Sequence, residues 1–129
     1  MGDTKRRGIS GGERKRLSIA SVLIESPSAL FLDEPTSGLD STSAASLIRT
    51  LRKQADEQKS VVAVIHQPSQ YIFSQFDDVL VLSDGKLMYT GERSHIRNHI
   101  TSLVGEPSDD VGEAEFVLDS VSKAPVGDE

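Results

Sequence analysis

Residues 29–35 read Ala-Leu-Phe-Leu-Asp-Glu-Pro, four apolar side chains that stop abruptly at two adjacent carboxylates and a proline. A second run of the same kind, Val61-Val62-Ala63-Val64-Ile65, stops at His66-Gln67-Pro68. Short continuous apolar runs rich in β-branched residues predict strands buried on both faces, as in parallel sheets. Between the runs, Ala44, Leu47, Ile48, Leu51 and Ala55 recur at three and four, the spacing of one helix face. Strand, helix, strand is a βαβ unit, so the fold class is α/β with parallel strands and flanking helices.

Outward from this unit, residues 10–25 predict an amphipathic helix, with Leu17, Ala20 and Ile24 near helical spacing and Leu23 beside them. Its start, Ser10-Gly11-Gly12-Glu13, fits the S-x-x-E capping box, and Pro27 follows its end. On the other side, residues 79–82 and 87–90 flank Asp84-Gly85, a hairpin turn signal. Residues 92–104 predict a short helix. Beyond Gly105 the chain is rich in Gly, Pro, Ser and acids, interrupted by Phe116-Val117-Leu118.

At 129 residues the chain holds one domain at most. Hydrophobic residues are 36%, enough for a modest core. No apolar run reaches the roughly eighteen residues of a membrane span, and no secretory leader precedes the helix. Cysteine is absent, which excludes disulfides, thiolate metal sites and a cysteine nucleophile. The net charge of −6 is uneven. Lys5, Arg6, Arg7, Arg14, Lys15 and Arg16 face two acids in residues 1–16, whereas residues 105–129 hold eight acids against Lys123. The basic head reads first as a solvated helix face and loop. The acidic balance argues against nucleic acid, whose binding rests on neutralising phosphates.

In an open α/β sheet, ligands bind beyond the carboxyl ends of the strands. Asp33 and Glu34 end one strand here and His66 ends the other. Two adjacent carboxylates can divide labour, one holding a hard cation such as Mg²⁺, the other orienting or deprotonating water. A turn or helix cap explains Asp-Glu-Pro equally well. A helix start with glycines can bind an anion through its unpaired N–H groups, yet Ser10 to Glu13 alone also reads as ordinary capping. His66 alone reads as a structural residue. His95 and His99 have i,i+4 spacing without a third ligand nearby, which favours a solvated helix face over zinc.

The three segments in order are far more specific than any one of them. Gly8-Ile9-Ser10-Gly11-Gly12-Glu13-Arg14-Lys15-Arg16 is followed by Leu30-Phe31-Leu32-Asp33-Glu34-Pro35-Thr36-Ser37-Gly38-Leu39-Asp40-Ser41, then by Ile65-His66-Gln67-Pro68-Ser69. This closely resembles the second half of the nucleotide-binding domain of ATP-binding cassette (ABC) proteins, over nearly the whole chain. The forms Gly-Glu-Arg-Lys-Arg, Thr-Ser-Gly-Leu-Asp-Ser and Ile-His-Gln-Pro-Ser look like the G subfamily, which holds the White-type and pleiotropic drug resistance transporters.

The resemblance implies a partial P-loop NTPase (RecA-like) core, with a C-terminal β-hairpin and short helix. Residues 1–104 would be the C-terminal part of the nucleotide-binding domain, and 105–129 an acidic segment leading toward a transmembrane region. Ser10, Gly11 and Gly12 match the signature that contacts ATP held by an opposing domain. Asp33 matches the Walker B aspartate that holds Mg²⁺, and Glu34 the carboxylate that activates water. Ser37 to Asp40 match the D-loop, so Asp40 joins the nucleotide-binding set. His66 matches the switch histidine. The cofactors implied are ATP and Mg²⁺. The partners implied are a second nucleotide-binding domain, in a dimer with ATP at the interface, and the transmembrane domain of a parent transporter, on the cytoplasmic face. The function implied is ATP hydrolysis coupled to export of lipids, sterols, pigments or drugs. One alternative is a non-catalytic piece that pairs with a complete nucleotide-binding domain through its signature. Another is a soluble ABC ATPase of translation or DNA maintenance.

The chain departs from the family pattern by lacking the N-terminal half of the domain, with its P-loop and its Q-loop glutamine region. No two of its glycines are five apart, and its one Gly-Lys pair, Gly85-Lys86, is followed by Leu87, so it contains no G-x-x-x-x-G-K-[ST] loop. The expectation is a truncated domain, with little ATP binding by this chain alone. The strands at 29–32 and 61–65 should then expose apolar surface or open edges.

Overall fold

The computed structural model describes residues 8–106 and 111–123. Lys5, Arg6 and Arg7 of the basic head lie outside them. The chain divides into two compact units, Met1–His66 and Gln67–Glu129.

The first unit begins with α1 (Gly11–Ile24), which starts where the capping box places it. Ser10 Oγ accepts from the Glu13 N–H at 3.2 Å, and the Ser10 N–H donates to the Glu13 carboxylate at 2.7 Å. Two of the otherwise orphaned donors at the helix start are thereby satisfied. The helix ends at Glu25, and Ser26 turns the chain with φ 49° before Pro27. The expected amphipathic character does not become burial: α1 has no buried residue, and Ile24 is 84% exposed.

Strands β1 (Ala29–Asp33) and β2 (Ser60–Val64) pair in parallel, from Ala29 opposite Ser60 to Asp33 opposite Val64. Helix α2 (Ser41–Asp56) makes the crossover and packs on β2, burying the expected Ala44, Leu47, Ile48 and Leu51. Asp40 caps it, accepting from the N–H groups of Thr42 at 3.1 Å and Ser43 at 3.0 Å. The reading of both strands as buried on both faces needs correction. Side chains alternate across a strand, and among the described residues only one face is covered. Leu30 is buried, whereas Phe31 is 80% exposed, Val62 52% and Val64 61%. The other expectation, apolar surface left open on these strands, is what the structure has.

The second unit opens with the single turn α3 (Gln70–Phe73), capped by Ser69 and absent from the sequence reading. Strands β3 (Asp78–Ser83) and β4 (Lys86–Glu92) form the expected antiparallel hairpin. Asp84 and Gly85 carry its turn at φ 47° and 75°, the positive pair that a two-residue primed turn needs. Helix α4 (Arg93–Val104) follows as predicted. Helix α5 (Glu113–Lys123) lies within the acidic segment. Phe116 and Val117, read as an interruption in a tail, are core residues. They pack with Phe73, Ile96, Ile100, Ala114 and Val121, and Val79, Val81 and Met88 of the hairpin close the rim. Two polar ties hold the start of α5. Arg93 pairs with Glu113 at 2.8 Å, both half-buried, and Gln70 Oε1 accepts from the Ala114 N–H at 2.9 Å.

Candidate functional site

The site residues that the resemblance implies all lie in the first unit, at helix starts and strand ends. The start of α1 and the loop after β1 enclose an open cavity of about 510 Å³. Ser10, Gly11, Gly12 and Arg16 line it from the helix, and Ser37 and Asp40 from the loop. The approach at Gly12 is close: a Cβ on it would stand 2.8 Å from Leu39 Cδ2 and would have to displace the end of that side chain. The Ser10 hydroxyl oxygen accepts as a cap and its O–H stays available, so a ligand at the first turn meets that O–H, the N–H groups of Gly11 and Gly12, and the positive end of the helix. These fit an anion.

Two carboxylates on the rim are fixed in their charged form. The Ser10 backbone N–H, then the Ser10 hydroxyl and the charge of Arg16, hold Glu13 below its ordinary value. The hydroxyl and then the N–H of Ser43, with the Thr42 N–H, do the same for Asp40. Asp40 is thus engaged with the start of α2 while its loop borders the cavity.

Asp33 is the last residue of β1 and is exposed. Glu34 follows with φ 43°, left-handed and unusual for a residue with a side chain. Its N–H donates to Val64 O at 2.9 Å, which carries the parallel ladder one step past the strand, and its carbonyl accepts from the Ser37 N–H at 3.2 Å. Pro35 beside it is fully buried. The turn therefore stands on a fixed base with the Glu34 side chain in solvent. His66, exposed, comes two residues after Val64, the register partner of Asp33. Asp33, Glu34 and His66 thus occupy the carboxyl edge of one parallel sheet. Among the described residues no group of three His, Asp or Glu side chains could hold a metal by itself. Two neighbouring carboxylates still suit Mg²⁺, which binds through one or two of them and takes water and phosphate oxygens for the rest.

His95 and His99 lie in the other unit. His95 Nδ1 is 3.9 Å from the Glu92 carboxylate, and the His99 ring stands 5.2 Å from that of Tyr89. The sequence reading missed Lys15, placed there in a solvated basic run. Its Nζ donates to the Glu34 main-chain oxygen and lies 3.5 Å from Ser37 O. The available signal is angular: side chains turn about 100° per residue on a helix, so Arg14, Lys15 and Arg16 cannot all face the same way.

Comparison with known proteins returns ABC transporters. The family described as ABC transporter matches residues 2–37. ABC transporter G family member 21 of Arabidopsis thaliana is 51% identical over 114 residues, 88% of this chain and 17% of the relative. ABC transporter G family member 25 of the same plant is 48% identical over 120 residues, 92% of this chain and 18% of the relative. ABC transporter G family member STR of Medicago truncatula is 42% identical over 123 residues, 95% of this chain and 15% of the relative. The chain is thus similar to ABC transporters and, among them, to members of the G family, and it spans less than a fifth of the length of these relatives.

Proposed function

We propose that these residues form the signature-to-switch portion of a G-family nucleotide-binding domain, built on a P-loop NTPase core. In the parent protein, on the cytoplasmic face of a membrane, Mg-ATP hydrolysis would drive export of lipids, sterols, pigments or drugs. The observation that carries this reading is the common placement of Asp33, Glu34 and His66 at one sheet edge, in the same unit that holds the Ser10–Asp40 cavity.

ATP with Mg²⁺ supplies the phosphoryl group and the metal's charge. The roles of the chain's own groups follow from their chemistry. Asp33 would hold the metal, a hard cation that prefers oxygen ligands. Glu34 accepts a proton from water, its position set by the turn beneath it. His66 donates a ring N–H toward developing negative charge. The Gly11 and Gly12 N–H groups and the Ser10 helix end take a phosphate of nucleotide held by a second nucleotide-binding domain, and Asp40 anchors the loop opposite. The 129 residues contain no P-loop, so the loop that cradles the phosphates comes from other sequence. A transmembrane domain completes the partner set, and nucleic acid has no place in it. No helix among the described residues is long and apolar enough to cross a membrane itself.

The test is to place residues 1–129 in the matching segment of ABC transporter G family member 21 and introduce Glu34→Gln. Hydrolysis should fall by about 10²–10⁴, the usual contribution of a positioned base, while ATP binding persists. Normal turnover removes Glu34 from this role. A second reading, which the Ser10–Asp40 cavity serves equally well, is a non-catalytic partner that offers Ser10–Gly12 in trans. It predicts co-purification with a complete transporter and a changed ATPase rate.

A further inference from the structure

Lys15 is the one member of the basic run Arg14-Lys15-Arg16 that reaches the Glu34 turn by a hydrogen bond. A left-handed non-glycine residue persists only where its surroundings over-determine it, and three contacts do so at Glu34. Its N–H is held by Val64 O at 2.9 Å, and its carbonyl accepts from the Ser37 N–H at 3.2 Å. The same carbonyl accepts from the Lys15 ammonium, which also lies 3.5 Å from Ser37 O. The first two contacts are backbone to backbone. The third is a charge-assisted bond from a helix nineteen residues earlier in the chain.

We propose that Lys15 is a positioning residue, whose ammonium clamps the Glu34–Ser37 turn to α1 and so fixes the Glu34 carboxylate relative to the Ser10–Gly12 helix start. The inference rests on the function proposed above. Under that reading Glu34 works on the nucleotide of its own domain, and Ser10–Gly12 on the nucleotide of the partner domain. Lys15 is then a direct mechanical link between two sites on one chain. A substitution there removes no group that touches nucleotide and changes only where one of them stands. It should therefore lower kcat and spare KM for ATP.

Two measurements test it. In the 129-residue chain, Lys15→Met should speed amide exchange of Ser37 and Leu39 by about tenfold, Lys15→Arg should restore protection, and the β3–β4 hairpin should not change. Should Lys15→Met lose the first unit altogether, Lys15→Gln carries the same measurement. Unchanged exchange at Ser37 and Leu39 overturns the clamp whatever the function. In the chimera with ABC transporter G family member 21, Lys15→Met should lower kcat about tenfold with KM for ATP within about twofold, and Lys15→Arg should recover most of it. An unchanged kcat, with Glu34→Gln inactive in the same background, overturns Lys15 alone. Full turnover by Glu34→Gln overturns the reading of the site, and the role of Lys15 with it.

Discussion

The two units have similar lengths and each contains a two-stranded sheet, yet they spend their helices differently. In Gln67–Glu129, α4 and α5 contribute Ile96, Ile100, Phe116 and Val117 to one core, with Ile96 wholly excluded from solvent. In Met1–His66, α2 alone covers the sheet, while α1 buries nothing and carries its first turn to the cavity. The candidate site residues are all in the less packed unit. Binding segments are drawn from the low-stability end of a fold, because groups that must meet a ligand cannot also be sealed in a core. The comparison sets the packed core of the second unit against the candidate site of the first, and it can be broken by perturbing each separately.

The largest effect is expected at Ile96. Ile96→Ala leaves a cavity in the second core and should cost about 2–5 kcal/mol. The readout is selective, because the chain has no Trp and both tyrosines, Tyr71 and Tyr89, lie in the second unit. Urea unfolding followed by tyrosine fluorescence should lose that stability. Leu51→Ala, in the packed face of α2, is expected nearer the low end, about 2 kcal/mol. It should appear in far-UV circular dichroism while the tyrosine midpoint stays in place. If Leu51→Ala moved the tyrosine signal as well, the units would unfold as one cooperative block and the contrast drawn here would fail.

The same contrast explains which features were legible before the structure. The Ser10–Glu13 capping box, the α2 stripe and the Asp84-Gly85 turn are decided within a few residues, so spacing alone reveals them. Helix α5 is not of that kind. Phe116-Val117-Leu118 sits among acids after a glycine-rich stretch. Its helix is held by burial against α4 and by Gln70, forty-four residues away in sequence. Val61 to Ile65 read the same whether one face or two is covered, because a run of apolar residues does not say how many layers pack on it. Of the candidate site, Asp33, Glu34 and His66 were legible as strand ends. Glu34's left-handed backbone and its tie to Lys15 were not, since both depend on contacts across nineteen or more residues.

Acid should separate the units next. Glu13 and Asp40, the two carboxylates among the described residues held below their ordinary values, both cap helices of the first unit. A group with a depressed native value adds stability that is present above its unfolded value and lost as pH falls through the folded one. Helix signal from α1 and α2 should therefore decline below about pH 4, and the tyrosine signal should outlast it. Asp40→Asn, which retains a capping oxygen without a titrating group, should remove its share of that pH dependence while preserving α2. Acid loss that begins in the tyrosine signal instead would place the weaker carboxylates in the second unit.

The smallest effect on stability is expected at Phe31, and it bears most directly on the comparison. Phe31 and Leu30 are neighbours on one strand, yet Leu30 is buried under the sheet's covered face and Phe31 is 80% exposed. Phe31→Thr keeps a β-branched residue suited to a strand and should change stability by no more than about 0.5 kcal/mol, as for a surface site. It should also lower binding of an apolar dye and slow association of the chain, because it removes the largest side chain of an uncovered apolar face. Leu30→Thr, one residue away, should instead unfold the first unit while leaving the tyrosine signal of the second. Equal costs for the two substitutions would mean that Phe31 is covered in solution, and that the first unit buries both faces of its sheet after all.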